Sequence, residues 1–197
     1  MSAASPRPSA RDRLLAAANE LFYAEGVHTV GIDRVIERAG VAKASLYSTF
    51  GSKDELVRAY LRGRHESRRT RILTGLERFT TPPERLLGVF DLLAERATEP
   101  GFRGCAFYNA GAESDPSGVV RDEAAHNREW TRSLFADLAG AAGVPDPKVF
   151  ADQMVVLYDG ATVGARLDPG PRAPLAARGI AAAMLAAATG TAGPRAA

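Results

Sequence analysis

Lys43, Ser45, Ser48 and Thr49 stand within eight residues of one another in the stretch IDRVIERAGVAKASLYSTFGSK, residues 32 to 53. A flexible ammonium and three hydroxyls, with no nucleophile–base pair among them, are suited to hydrogen bonding with phosphate oxygens and base edges. What must position them is a pair of short helices. Gly40 can adopt positive φ without a Cβ clash, and small Ala39 lets two helices approach at the Ala39-Gly40-Val41 turn. Val35, Ile36, Ala39, Val41, Leu46 and Phe50 fall at spacings that place them on the facing sides of two crossing helices, leaving the polar residues outside. Ser52-Lys53-Asp54-Glu55 reads as a capping box, with the Ser52 hydroxyl meeting a free N–H and Glu55 reaching back to the cap, so a new helix begins at Lys53. The pattern is a helix-turn-helix, and DNA is the first partner it implies.

Charge distribution agrees with that reading. Residues 1 to 70 carry twelve Lys and Arg against eight Asp and Glu, a net +4, whereas the remainder is −2. The basic excess therefore accompanies the helix-turn-helix, and the rest reads as a non-DNA body. The strong preference for Arg, 22 against 3 Lys, together with the many Ala, reads as coding bias and carries no functional weight. No HExxH, GxSxG, Walker or GxGxxG pattern occurs, and His28, His65 and His126 are too scattered for metal spacing, so neither an enzyme, a metal site nor a cofactor is expected. Cys105 is the single cysteine and has no internal disulfide partner. No run of about 18 apolar residues could span a membrane, and MSAASPRPSA lacks the apolar centre of a signal peptide, which leads to the expectation of a cytoplasmic protein.

Helix signals divide the chain into about nine segments, and no strand-like alternation persists, so an all-α fold is expected. Ser9 caps a first helix with the apolar stripe Leu14, Leu15, Ala18, Leu21 and Phe22. A long helix runs from Lys53 to about Phe79, and Thr81-Pro82-Pro83-Glu84 opens the next, which buries Leu86, Leu87, Phe90 and Leu93. Gly104 to Glu113 forms a short apolar helix, Asp115-Pro116 opens one ending near Gly143, and Asp146-Pro147 caps another running to about Leu167. The last helix, Pro174 to Thr189, is almost wholly Ala, Leu, Ile and Met and requires burial nearly all round. The expected organisation is a disordered arm over 1–9, a three-helix DNA-binding head over 10–52, a helical body over 53–190, to which the family resemblance described below assigns a linker helix and a ligand-binding and dimerisation domain, and a disordered tail over 191–197.

Gly40-Val41-Ala42-Lys43, Leu46-Tyr47, Phe50 and Ser52-Lys53-Asp54-Glu55-Leu56 resemble the signature of TetR-family transcriptional regulators. The resemblance covers roughly residues 10 to 60; beyond it only length and helical pattern agree. It implies DNA contact from Lys43, Ala44, Ser45, Tyr47, Ser48 and Thr49 of the recognition helix and from Lys53 at a phosphate, with Gly31 and Arg34 as lesser phosphate candidates. Ser48 and Thr49 depart from the family pattern, where a larger aromatic or histidine often precedes the phenylalanine, so base readout there should be weaker or different. Arg7 and Arg11 in the arm offer a minor-groove contact, though an idle tail is the simpler expectation.

The resemblance also implies a homodimer whose last two helices form a four-helix bundle with those of a second copy. Symmetry argues the same way independently, because a two-fold pair spaces two recognition helices by about one DNA turn, ~34 Å, on a pseudo-palindromic operator. In the body, Gly104-Cys105-Ala106-Phe107-Tyr108-Asn109 resembles a GCxFxN-type segment in the sixth, hinge-like helix of a subgroup of these regulators. Phe90, Phe102, Phe107, Trp130, Phe135, Met154 and Tyr158 are candidate walls of an apolar effector pocket, with Cys105 and Tyr108 beside them and Asn109, Glu113, His126 or Arg166 as polar anchors. The expected function is a repressor released from its operator by a small apolar or aromatic effector through a shift in conformational population. Two alternatives stand beside it: a constitutive DNA-binding regulator without effector, and a thiol sensor of electrophiles or oxidants through Cys105.

Overall fold

A computed structural model of the chain describes residues 8–112 and 118–190. Among the described residues the secondary structure is helical throughout, in the order α1 (Ala10–Glu25), α2 (Ile32–Ala39), α3 (Lys43–Phe50), α4 (Lys53–Leu76), α5 (Pro82–Thr98), α6 (Ala106–Ala112), α7 (Val119–Ala141), α8 (Pro147–Leu167) and α9 (Arg172–Ala188). The all-α expectation holds. The expectations for Arg7 and most of the arm, for Glu113, for a helix opened by Asp115-Pro116 and for the tail fall outside the described residues. No described helix is long and apolar enough to cross a membrane.

The helix boundaries follow local chemistry. The Ser9 hydroxyl accepts from the Asp12 N–H at 3.1 Å, and Asp12 reaches back to Ser9, a complete capping box at the head of α1. Thr81 and Glu84 form the same box at α5, with prolines in the first turn. Asp146 accepts from the Val149 N–H at 3.2 Å and starts α8. At α4 only half of the expected box is present. The Glu55 N–H donates to the Ser52 hydroxyl at 3.2 Å, but the Glu55 carboxylate accepts from Arg58 Nε instead, an i,i+3 partner on the same helix face.

The chain divides into two compact units. Unit 1 comprises residues up to 65 together with 106–124, so the first half of α4, all of α6 and the first turn of α7 belong with the helix-turn-helix; the expected boundary at residue 52 falls earlier than this division. Within it α1, α2 and α3 pack on one another. Leu14, Val30, Val35, Leu46, Leu56 and Leu61 are fully enclosed, and each such side chain contributes about 1.5–3 kcal/mol by leaving water. Phe22 meets Tyr60 edge-on, their ring centres 5.5 Å apart.

Unit 2 comprises residues 66–105 and 125–197. Here α5 packs on α8 and α9, and α8 on α9. Phe90, Phe135 and Tyr158 form an aromatic triangle with ring centres 5.8–6.1 Å apart inside a core of Leu86, Met154, Ala161 and Ala181. Three glycines make the close approaches possible. A Cβ on Gly75 would lie 2.4 Å from Leu92, one on Gly88 2.5 Å from the Phe79 ring, and one on Gly164 2.7 Å from the Ala173 methyl.

Candidate nucleic-acid interface

The turn between α2 and α3 is held from below. Gly40 closes α2 in the left-handed region at φ +62, its N–H donating to the Ile36 and Glu37 carbonyls, and a Cβ there would carry a backbone cost of about 1–2 kcal/mol. Arg13 on α1 reaches this point: its Nη1 donates to the Ala39 carbonyl at 3.3 Å and to the Gly40 carbonyl at 2.9 Å. A cation thus meets the negative end of α2 and takes up carbonyls that no helix N–H can reach. Sequence reasoning missed Arg13. The available signal was its place beside Leu14 and one turn before Ala17, at the margin of the buried stripe of α1.

With the turn fixed, α3 presents one face. Leu46 is fully buried, Val35 and Ala39 of α2 are buried, and Ile36, Val41 and Phe50 are half-buried. Lys43, Ala44, Tyr47, Ser48 and Thr49 all stand exposed, Tyr47 with 46% of its surface open, while Ser45 is half-buried and its carbonyl accepts from the Ser48 hydroxyl at 3.2 Å. Positions 43, 44, 47 and 48 share a side of a helix with 3.6 residues per turn, so four of the expected contact residues lie together on one exposed side. The start of α3 at Ala42 and the start of α2 at Gly31 have no side-chain cap, unlike α1 and α5. Their first N–H groups, with the positive end of each helix dipole, are left available to an anion such as a DNA phosphate.

The cations nearby are mostly committed. Arg34 grips the Glu25 carboxylate with both terminal nitrogens at 2.6 and 3.0 Å, and this hydrogen bonding and charge hold its guanidinium above the usual pKa. Arg38 holds the Glu20 carboxylate through Nε and Nη2 at 2.8–3.0 Å. Lys43 Nζ donates to Asp33 at 3.1 Å, which raises the ammonium pKa, although both side chains are largely exposed. Arg34 therefore ties α2 to the end of α1, whereas Lys43 can leave Asp33 at small cost. Lys53, at the first position of α4, is half-buried.

Comparison with known proteins places this geometry. A family model described as "Bacterial regulatory proteins, tetR family" matches residues 14–60. The crystal structure of SCO4454, a TetR-family transcriptional regulator from Streptomyces coelicolor, is 33% identical, with 91% of this chain and 96% of that chain covered at a TM-score of 0.85. The chain belongs to the TetR family. A second TetR-type structure, sav143 from Streptomyces avermitilis, is 30% identical over 93% of this chain and 99% of its own, TM-score 0.81. The HTH-type transcriptional activator FasR of Mycolicibacterium smegmatis is 48% identical over 56 residues, which are 28% of this chain and span only about a quarter (26%) of FasR. This TetR-family protein is accordingly a DNA-binding transcriptional regulator.

The residues expected to line an effector pocket are distributed over both units. Unit 2 brings together Phe90 and Met154, both fully buried, Tyr158, and half-buried Trp130 and Phe102, which pack against the same core. Phe107, Tyr108 and Asn109 lie on α6 and belong to unit 1. Two expectations are corrected. Burying Phe107 and Ala110 on one side of the seven-residue α6 turns Tyr108 outward, 60% exposed, and His126 is exposed beside the buried stripe Glu123, Asn127 and Thr131 of α7. Neither residue lines an interior. Cys105 is half-buried, and just before it Arg166 Nη1 donates to the Arg103 carbonyl at 2.6 Å, so Arg166 braces the chain at Gly104. An open groove of about 430 Å³ lies elsewhere in unit 2, between α4 and α5. It is walled by the ion pairs Arg71–Glu99 and Arg78–Glu95 and includes none of the expected pocket residues.

Proposed function

We propose that this regulator is a repressor that binds a pseudo-palindromic operator as a homodimer and leaves it when a small apolar or aromatic molecule occupies unit 2. The observation that carries the DNA half is the exposed face Lys43, Ala44, Tyr47, Ser48 and Thr49 on an α3 held by Gly40 and Arg13, flanked by two helix starts open to phosphate. Ser45, Lys53 and Gly31 stand at the edge of that contact, and Arg34 supports it from behind through Glu25. The dimer rests on α8 and α9. Val149, Val156 and Leu167 of α8 and Leu175 and Ile180 of α9 are 49–73% exposed, and the small residues Ala176, Gly179 and Ala183 of α9 are exposed beside them. An apolar surface of this kind on the family's pairing helices is covered by a second copy.

The effector half rests on the aromatic core of unit 2 and on helix continuity: α4 has residues in both units, so a rearrangement around its second half has a covalent route to its first. Ligand and DNA then act on one equilibrium and weaken one another reciprocally. The protein works where DNA is, in the cytoplasm. Fluorescence anisotropy with DNA upstream of its own gene tests the reading. It requires salt-sensitive binding to two half-sites about ten base pairs apart and a dimer by light scattering. Uniform weak binding, or a monomer at micromolar concentration, would overturn it. Activation is the second reading, because FasR, 48% identical over 56 residues, is named an activator; transcription in vitro from the bound promoter separates the two by sign.

A further inference from the structure

In unit 2 one arginine faces the aromatic core without an acid. Arg68, half-buried on α4, donates from Nη1 to the Thr131 hydroxyl at 3.0 Å and to the Asn127 side-chain oxygen at 3.3 Å, both neutral and both buried. Its guanidinium carbon lies 5.2 Å from the centre of the Trp130 ring and 5.1 Å from that of Tyr158. The surrounding arginines of this unit are matched: Arg71, Arg78, Arg96, Arg128, Arg132 and Arg178 each hold a carboxylate. Among the described residues Arg68 has no carboxylate partner, and its Nε and Nη2 donate to no protein acceptor. Those two nitrogens are not sealed off either, since the buried nitrogen without an acceptor belongs to Arg13. The rings attract this cation and two neutral acceptors orient it, which leaves Nε and Nη2 open to a partner that carries negative charge.

We propose that Arg68 anchors the carboxylate of an amphipathic organic acid whose apolar part lies along Trp130 and Tyr158. The planar fork of a guanidinium matches the two oxygens of a carboxylate, and Thr131 and Asn127 hold that fork from the far side. Tyr158 continues into the triangle with Phe90 and Phe135, an apolar direction for a ring or acyl chain. A single guanidinium fork amid aromatic and neutral side chains matches the one charge and two oxygens of a carboxylate monoanion. The proposal rests on the reading that unit 2 takes an effector, and names the chemistry of that effector.

Trp130 is the chain's single tryptophan, so its intrinsic fluorescence reports this site without a label. Full-length wild-type protein, Arg68→Met and Arg68→Lys are titrated with octanoate and phenylacetate and with their neutral amides, octanamide and phenylacetamide. The expected result is a saturable change with Kd at least about tenfold lower for each acid than for its amide, a preference lost in Arg68→Met and reduced in Arg68→Lys, where the charge survives but not the fork. Far-UV circular dichroism checks folding, and Arg68→Lys carries the test if Arg68→Met does not fold. Equal affinity for acid and amide, wild-type acid affinity in both variants, or no saturable change with any of the four compounds overturns the proposal. Operator release measured in parallel keeps the two readings apart. An acid that saturates the Trp130 signal without releasing DNA refutes the effector reading and leaves the anion site, whereas release by an amide but not by its acid does the reverse.

Discussion

Replacing Arg13 by Met tests whether the helix-turn-helix is held by a cation on its turn. The methionine keeps most of the apolar stem but removes the donor to the Ala39 and Gly40 carbonyls. Hydrogen bonds from a charged donor contribute about 1.5–3 kcal/mol each, and their loss also removes a favourable interaction of roughly 0.3–1 kcal/mol with the end of the α2 dipole. Two circumstances lower the sum. The Gly40 carbonyl is exposed and can turn to water, and Arg13 Nε is buried without an acceptor, a burden of about 1–3 kcal/mol that disappears with the side chain. The net destabilisation expected for the α2–turn–α3 segment is therefore about 1–3 kcal/mol. Hydrogen exchange read by mass spectrometry on peptides covering residues 32–50 gives the local opening free energy. Exchange there should accelerate roughly five- to 150-fold, since 1.4 kcal/mol is a factor of ten, while peptides from α5 and α8 keep their wild-type rates. Unchanged protection in 32–50 would refute the reasoning, and equal loss of protection in every helix would show that Arg13 supports the whole chain and not the turn.

Asp33→Asn releases Lys43 and should tighten operator binding several-fold with a log–log salt slope steeper by about one, seen by anisotropy at 50–200 mM salt; an unaltered slope would mean that Lys43 meets no phosphate. Gly88→Ala sets a Cβ 2.5 Å from the Phe79 ring and is expected to cost about 1–3 kcal/mol, lowering Tm by about 2–4 °C per kcal/mol in differential scanning calorimetry. Glu123→Gln leaves Arg58 and Arg62 without the buried carboxylate that accepts from both, at 3.2 and 3.0 Å. Because Arg62 is largely exposed and Arg58 partly so, the loss is set at about 1–2 kcal/mol, below the 3–5 of a fully buried pair, and a urea midpoint equal to wild type would dismiss the contact. Hydrogen bonds from the Thr81 N–H, the Thr81 hydroxyl and then Thr80 hold the Glu84 carboxyl below the usual carboxylate range. Its stabilisation is thus complete above the unfolded pKa of about 4.3 and is lost as pH falls through the lower folded value. Wild type and Glu84→Gln should differ by a constant amount above about pH 5 and converge below about pH 4, and a gap that does not narrow would remove Glu84 as the cause.

What the sequence made legible was local. Ser9, Thr81 and Asp146 cap helices because each meets an N–H only two or three residues ahead, and the Gly40 turn needs nothing beyond its own φ. Apolar periodicity identified Leu14, Val35, Leu46, Phe90 and Leu93 as interior for the same reason: burial of a helix face is written at a spacing of three and four. Contacts between elements were not legible. Nothing among 22 arginines marks Arg13 as the one that reaches Gly40, or Arg68 as the one left against Trp130, because the acceptors these two meet lie 26 to 63 residues away. Tyr108 was misjudged for a related reason. A seven-residue helix with Phe107, Tyr108 and Ala110 gives no clear phase until the surface that buries Phe107 is known.

These pairings alter the meaning of the head's net charge. A surplus of four positive charges over residues 1–70 invites an electrostatic account of DNA binding, yet Arg34, Arg38 and Lys43, the cations of α2 and α3, each hold a carboxylate. Their charge is largely cancelled at the distance of a phosphate. The surface that remains is made of small groups and backbone: the Ala44 methyl, the Ser48 and Thr49 hydroxyls, the Tyr47 phenol and the uncapped N–H groups at Gly31 and Ala42. Short side chains contact base edges only when the helix sits deep in the groove, where a methyl can meet a thymine methyl and a hydroxyl a donor or acceptor. Depth depends on the angle at which α3 leaves the turn, and that angle is set by Gly40 and by Arg13 beneath it. The specificity proposed for this head therefore rests as much on half-buried Arg13 beneath the turn as on the exposed residues of α3.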